Sequence, residues 1–236
     1  MSLITMHIIL VENIDPYRNL TGGIASYLKN LSCYLKAKGI ETTLAGASGG
    51  GKDLKIPADR FIDVANRRLS HPQFVAKLFS RARKLRFDGP VIFHGQRPDV
   101  LAPLLFRRKL LGKGKYNHRY ICSLHGIHSR AVYHKKGKLR GMVYEYLERY
   151  TFKKADLLVA VNDATRDHFA KKYPYYRDKI ITIPIGVDMT QFQPGEKTHL
   201  RNRWELDNDD KVMLFVGRLE KEKNLTFLMD VFKQVK

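Results

Sequence analysis

Short apolar runs alternating with amphipathic helices, from the start of the chain onward, leave few architectures open, because a strand–helix–strand unit buries its faces best in a parallel sheet covered by helices. Residues 7–11 read as a first strand and 12–21 as a polar loop. Gly22 and Gly23 then open a helix with Ile24, Tyr27, Leu28, Leu31 and Leu35 on one face, Gly39 closes it, and 40–45 read as the second strand. A glycine pair at a helix N-terminus offers the close backbone approach and the positive dipole end that a phosphate needs. The pair matches neither the three-glycine dinucleotide fingerprint nor a P-loop, since no Gly-Lys-Ser/Thr follows. Taken alone, a tight turn without a ligand is the more economical reading.

The alternation continues. Further strands are expected at 91–94, 120–124, 155–161 and 179–183. Helices are expected from Pro72 to about Phe87, from Asp99 to Leu111, after the basic segment 134–140, and from an Asn162-Asp163 cap to Lys172. The helix after 140 should turn Val143, Tyr146, Leu147, Tyr150 and Phe152 toward the core. Residues 47–52, with three consecutive glycines, read as a flexible loop. The expected fold is α/β, a Rossmann-like parallel sheet of roughly seven strands with helices on both faces, filling residues 1–183.

The proline- and glycine-rich stretch 184–210, with a short helix near 198–204, reads as an interdomain hinge. Residues 211–236 then read as the start of a second domain: a buried strand at 212–216, a turn at Gly217, the cations Arg218 and Lys223, and a helix capped by Asn224 with Leu225, Leu228, Met229 and Phe232 on one face. Two cations beyond the carboxyl end of a strand, ahead of a helix N-terminus, suit a diphosphate, although the spacing alone fits a solvated turn equally well.

Charge narrows the partners. The net charge is +20, and residues 66–140 hold nineteen Lys and Arg against two acids, Asp88 and Asp99. That bias points to one basic face and a polyanionic partner: an anionic membrane surface, nucleic acid or a phosphorylated acceptor. The helix from Pro72 sets Phe74, Val75, Leu78, Phe79, Ala82 and Leu85 against Lys77, Arg81, Arg83, Lys84 and Arg86. This is the pattern of a membrane-surface helix, and equally of a helix packed on a sheet with its cations in water. Nucleic acid finds no support in an RNP-like aromatic motif, a helix-turn-helix or zinc-ligand spacing. No apolar run approaches the ~20 residues that span a bilayer, and the N-terminus lacks a basic region followed by a long apolar one. Cys33 and Cys122 are the only cysteines, which fits a reducing cytosol rather than a disulfide scaffold. Two expected strands end in His94-Gly95 and His125-Gly126, with His128 just beyond; these histidines share neither i,i+4 spacing nor a nearby carboxylate, so no metal is expected.

Several stretches resemble, in order, the motifs of the family 4 glycosyltransferases, retaining enzymes of the GT-B fold. They are the glycine pair in the first strand-to-helix loop, the His ending strand 120–124, and Lys153-Lys-Ala-Asp-Leu-Leu-Val-Ala-Val-Asn-Asp with Asn162 where Ser is usual. Gly186-Val-Asp188 with Phe192 and Pro194 follows, Ile185 replacing the usual Asn, and then Val-Gly-Arg218-Leu through Lys223-Asn224-Leu. The resemblance implies that Gly22 and Gly23 face the donor phosphates while Arg218 and Lys223 hold the diphosphate from the second domain. It implies that His125 lies beside the donor sugar as the catalytic candidate, with His94 the weaker one. It further implies a nucleotide-diphosphate sugar as donor substrate, with no cofactor and no bound metal. The acceptor would be a glycan or lipid-linked molecule, as in cell-envelope polysaccharide synthesis, and the enzyme cytoplasmic or peripheral at the inner membrane face.

The nucleotide-recognition segment and paired glutamates of that family's second domain find no match in the sequence. The chain is therefore expected to be an acceptor-side fragment, inactive alone. A lone strand–helix unit must pack on the first domain, pair with another chain, as in a homodimer, or stay loosely ordered. A non-enzymatic polyanion-binding module stays open beside this reading, as do the epimerases and phosphorylases that share the GT-B fold.

Overall fold

The computed structural model describes residues 6–18, 20–111, 116–129, 132–133, 137–195, 198–207, 209–217, 219 and 223–234. Strands His7–Val11 (β1), Glu41–Gly46 (β2), Arg60–Asp63 (β3), Ile92–Gly95 (β4), Arg119–Leu124 (β5), Leu157–Ala160 (β6) and Ile180–Thr182 (β7) form one sheet in the order β3-β2-β1-β4-β5-β6-β7. Every pairing is parallel. Helices Gly23–Ala37 (α1), His71–Arg81 (α2), Pro98–Phe106 (α3), Arg108–Leu111 (α4), Lys138–Lys154 (α5) and Asp163–Lys172 (α6) connect or flank them.

Handedness fixes which face each helix covers. A parallel crossover is right-handed, so helices linking strands that step in opposite directions along the sheet lie on opposite faces. The step from β1 to β2 runs toward β3, and each step from β3 onward runs the other way. Accordingly α1 packs on one face, where Leu28 meets Leu10, Leu44 and Ile56. On the other face Phe74 and Leu78 of α2, Leu101 of α3, Phe152 of α5 and Phe169 of α6 share a cluster with Ile9, Val11, Phe93 and Leu124. The period of two along β1, with Ile9 and Val11 on one face and Leu10 on the other, is the pattern of a strand buried on both sides.

Several expectations are corrected. The edge strand β3 has no counterpart in the sequence pattern: it is four residues long and only Phe61 and Ile62 are apolar, too little for a periodicity to register. The helix from Pro72 ends at Arg81 and tightens into a 3₁₀ turn over Ala82–Leu85, and the helix from Asp99 begins at Pro98 and breaks at Arg107. In α5 the inner face is Gly141, Tyr144, Glu148, Thr151 and Phe152, whereas Val143 and Tyr146 are 55% and 61% exposed. Lastly, 212–216 is no strand: among the described residues nothing pairs with it, and its side chains are 37–84% exposed. An apolar run becomes a strand only where its backbone groups find a neighbouring ladder.

The chain divides into two compact units, Met1–Asp188 and Met189–Lys236. The second contains helices Thr198–Arg203 (α7) and Leu225–Gln234 (α8). Asn224, expected as the cap of α8, has φ 47°, outside the extended backbone usual for a capping residue. No described helix is long and apolar enough to cross a membrane. The cap expected at the start of α6 is present: the Asn162 side chain accepts a hydrogen bond of 2.8 Å from the Thr165 amide. Replacing Asn162 by Ala should lower stability to urea by about 1 kcal/mol, and by Ser by only a few tenths, because a serine oxygen reaches the same amide.

Candidate active site

The strand order reverses between β1 and β4, and in such sheets the crevice opens beyond the carboxyl ends of the strands on either side of the reversal. Four segments lie there: the residues after β1, the start of α1, and the ends of β4 and β5. Gly22 sits at φ 93°, in the left-handed region that favours glycine, and sets the angle at which α1 begins. No side chain caps α1 and its first turn holds no acid. Around Gly22 and Gly23 the space a Cβ would occupy is open. The backbone amides of this first turn are therefore approachable by an anion.

One helical turn past Gly23, the Tyr27 ring meets the His125 imidazole edge-on, with centroids 4.9 Å apart and planes at 74°. This contact brings the glycine pair and His125 to one rim. His125 is held from its other side: its Nε2 lies 3.1 Å from Gln96 Oε1, while the Gln96 amide nitrogen donates to the His94 carbonyl at 3.4 Å. With the amide so oriented, Nε2 of His125 carries the proton and Nδ1 keeps its lone pair. His94 is tied to β5 in turn, its Nε2 2.8 Å from Ser123 Oγ. Gly95 lets α3 close down behind this bridge, since a Cβ there would lie 2.8 Å from Leu101 Cβ.

Burial sets the protonation of these groups. It pushes the His94 and His125 imidazoles down to about 4, helped by each other's proximity at His94 and by Arg97 at His125. His128 falls to about 4 for the same leading reason, with Arg97 adding to it, and its Nε2 is buried with no hydrogen-bond partner among the described residues. All three are neutral at physiological pH, donors or acceptors rather than cations.

A charged layer lies beneath. Asp99 accepts from His71 Nε2 at 2.7 Å and from Arg97 Nε at 3.2 Å. Burial pushes the Asp99 carboxyl up, but these two partners outweigh it and hold it below its ordinary value. Glu12, directly after β1, is buried; desolvation raises its pKa against the pull of Arg97 and His71. Its Oε1 accepts from the Asn13 amide at 2.8 Å, whereas its Oε2 has no partner among the described residues.

The structure thus brings Gly22, Gly23, His94 and His125 together in the first unit. Lys223 is exposed in the second unit, just ahead of α8, and Arg218 lies outside the described residues. Among the described residues no group of His, Cys, Asp and Glu is arranged to hold a metal ion. Sequence reasoning passed over Glu12, Gln96 and Arg97, whose one signal was their place immediately after β1 and β4, and assigned Tyr27 to packing alone.

The sequence profile of Glycosyltransferase Family 4 matches residues 21–191, starting one residue ahead of the glycine pair. The chain belongs to glycosyltransferase family 4. Relatives of this family 4 chain include the D-inositol 3-phosphate glycosyltransferase of Segniliparus rotundus, 29% identical over 48% of this chain and 26% of that protein. The UDP-Gal:alpha-D-GlcNAc-diphosphoundecaprenol alpha-1,3-galactosyltransferase of Escherichia coli is 28% identical over 48% of this chain and 30% of its own length. An uncharacterized 41.2 kDa protein of the cps region of Klebsiella pneumoniae is 22% identical over 90% of this chain and 57% of its own length. The chain therefore spans between about a quarter and just over half of these relatives.

The neutral histidines carry a pH signature. Their folded pKa values lie below the unfolded value of 6.5, so the stability they confer is whole above pH 6.5 and is lost as pH falls toward about 4, where the unfolded chain binds protons that the folded one refuses. Urea midpoints followed across that window should fall with pH. Nitrogen-15 shifts should show His125 protonated at Nε2. In Gln96→Leu the tautomers should mix while the pKa stays low, since burial and Arg97, not Gln96, depress it.

Proposed function

We propose that residues 6–188 form the acceptor-side half of a retaining glycosyltransferase that moves a sugar from a nucleotide-diphosphate donor to an acceptor hydroxyl. The observation that supports this best is the shared rim: a neutral, oriented imidazole at His125, linked through Tyr27 to the uncapped start of α1 at Gly22 and Gly23. In the reaction the bond from the anomeric carbon to the β-phosphate oxygen breaks and its electrons go to the departing diphosphate. The acceptor oxygen bonds to that carbon on the same face, and its proton leaves with the phosphate. Charge grows on the diphosphate in the transition state, so donors already aimed there lower the barrier. The Gly22 and Gly23 amides serve here, and Arg218 and Lys223 are proposed as further groups that hold the diphosphate. His125, with Nε2 tied to Gln96, offers Nδ1 as an acceptor that orients a sugar hydroxyl.

The relatives' names speak for an acceptor that carries phosphate, a phosphorylated polyol or a diphospholipid-linked sugar. Such acceptors suit a reaction at the cytoplasmic membrane face and a chain with a net charge of +20. Because this chain spans only part of its relatives, we propose that most of the donor site belongs to sequence that residues 189–236 begin.

The test is release of nucleoside diphosphate from a panel of nucleotide sugars with and without phosphorylated acceptors. Residues 1–236 alone should give no transfer, and turnover by that polypeptide would overturn the split-site reading. In the full-length enzyme, His125→Ala should lower kcat by at least ~100-fold with a smaller change in KM. Epimerisation of the donor without any acceptor would replace transfer by the epimerase reading.

A further inference from the structure

A second cleft lies at the amino ends of the strands, opposite the ends that carry the glycine pair and His125. It opens between α4, the approach to β5 and the junction of α5 with β6, and its volume is about 380 Å³. Strand β5 separates it from the crevice: Tyr120 lies near one end of the strand and His125 just past the other. Arg108 and Lys109 of α4 and Lys154, the last residue of α5, line it, and none of the three forms an ion pair among the described residues. Asp156 is the one acid in the lining, and both its oxygens are engaged. Its Oδ1 accepts from Arg119 Nη1 at 3.1 Å and its Oδ2 from the Tyr120 amide at 2.8 Å.

Two buried polar groups form the floor. Tyr120 is 5% exposed and its ring stacks on Phe93 with centroids 5.4 Å apart, yet its hydroxyl is buried with no hydrogen-bond partner among the described residues. Burial pushes the phenol up and the nearby Arg108 charge pulls it back. His118 is equally buried. Its Nδ1 accepts from the Val91 amide at 3.3 Å, so the neutral ring carries its proton on Nε2. That Nε2 makes no hydrogen bond among the described residues, although the Leu111 carbonyl is near enough to oppose part of what burial does to the imidazole. Buried donors are nearly always paired, and a bare one is costly. Two such donors beneath three cations, with the one carboxylate already taken, are the complement of an oxyanion.

We propose that this cleft binds a small soluble phosphate, a phosphomonoester or diphosphate, with Arg108, Lys109 and Lys154 on its oxygens and the Tyr120 hydroxyl and His118 Nε2 donating from the floor. Guanidinium and ammonium groups meet phosphate oxygens through charge-assisted hydrogen bonds. Arg108 is exposed, so it can swing from the hydroxyl to the entering anion by a rotamer change. The volume suits a small ligand. A duplex or a flat bilayer would meet Arg108 and Lys109 but would not deliver a phosphate to a recessed floor. Because the cleft lies at the far ends of the strands from the crevice, it is neither the donor nor the acceptor site of the proposed transfer. The inference therefore goes beyond that reading, and either can fail alone.

The experiment is a titration of the nitrogen-15-labelled 236-residue chain with inorganic phosphate and with inorganic pyrophosphate, read at the histidine ring nitrogens. His118 should shift saturably at millimolar concentrations or below, with pyrophosphate the tighter of the two. His125 reports the crevice in the same spectrum, so the two sites are read apart. Arg108→Gln with Lys154→Gln should weaken the His118 response about tenfold or more. Lys29→Gln with Lys36→Gln, an equal change of charge on α1 at the other face of the sheet, should leave it unchanged. Tyr120→Phe should weaken it about fivefold, the worth of one hydrogen bond, without lowering the melting temperature, because the hydroxyl has no partner to lose. A His118 signal that stays in place with both anions, or an affinity unchanged in the Arg108 and Lys154 pair or in Tyr120→Phe, would overturn the proposal. So would His118 shifts produced only by phosphatidylglycerol vesicles or only by duplex DNA.

Discussion

A parallel sheet buried on both faces can make only right-handed crossovers, and the layout of this protein follows from that constraint. Having paired β2 and β3 on one side of β1, the chain must reverse its direction of travel to add β4 on the other. The reversal puts α1 on one face and α2, α3, α5 and α6 on the other. It also parts the loops after β1 and β4, so the carboxyl ends of these strands open into a crevice instead of covering one another. The glycine pair, Glu12, His94 and His125 are all there because of where a helix can cross, whatever chemistry they perform.

Within the crevice, dryness is what gives the polar groups their properties. His94 and His125 lose water on folding and are left neutral, with proton positions set by Ser123 and Gln96. Asp99 keeps its charge because His71 and Arg97 replace the water it lost, whereas Glu12 has one bonded oxygen and one bare one, and burial drives it toward the protonated form. Burial is thus the leading influence on His94, His125 and Glu12, and at Asp99 alone do the hydrogen-bonded partners outweigh it.

Charge is arranged in the opposite way on the outside. Among the described cations of 66–140, Arg83, Lys84, Arg86, Arg107, Arg108 and Lys109 are exposed, and few acids lie near them in sequence, so they set a field rather than a network of ion pairs. The exposed apolar side chains of α5 and the rings of Phe79, Phe106 and Tyr150 lie within that field. The crevice and the helical layer are different surfaces of one unit, joined through α3: Arg97 and Asp99 stand at its start and Phe106 at its end.

The amino-acid sequence by itself determined the class of fold, because burying strands on two faces requires continuous apolar runs and those runs are visible in β1, β5 and β6. It also determined where α1 starts and where α6 is capped, since a glycine pair and an Asn with an amide three residues on are local chemistry. It marked His125 through a family motif but could not supply Gln96 or Tyr27 as its company. Those residues sit on other elements, 29 and 98 positions away in the chain, and strand pairing with helix packing brings them together. Only the tertiary structure decided which face of α5 is inner: the sequence pattern favours the side of Val143 and Tyr146, yet the buried side carries Thr151 and Glu148, whose polar groups find partners on distant elements in Pro98, Lys172 and Tyr173. Likewise it decided that 212–216 stays unpaired: a strand is a relation between two segments, and one segment's composition cannot state it.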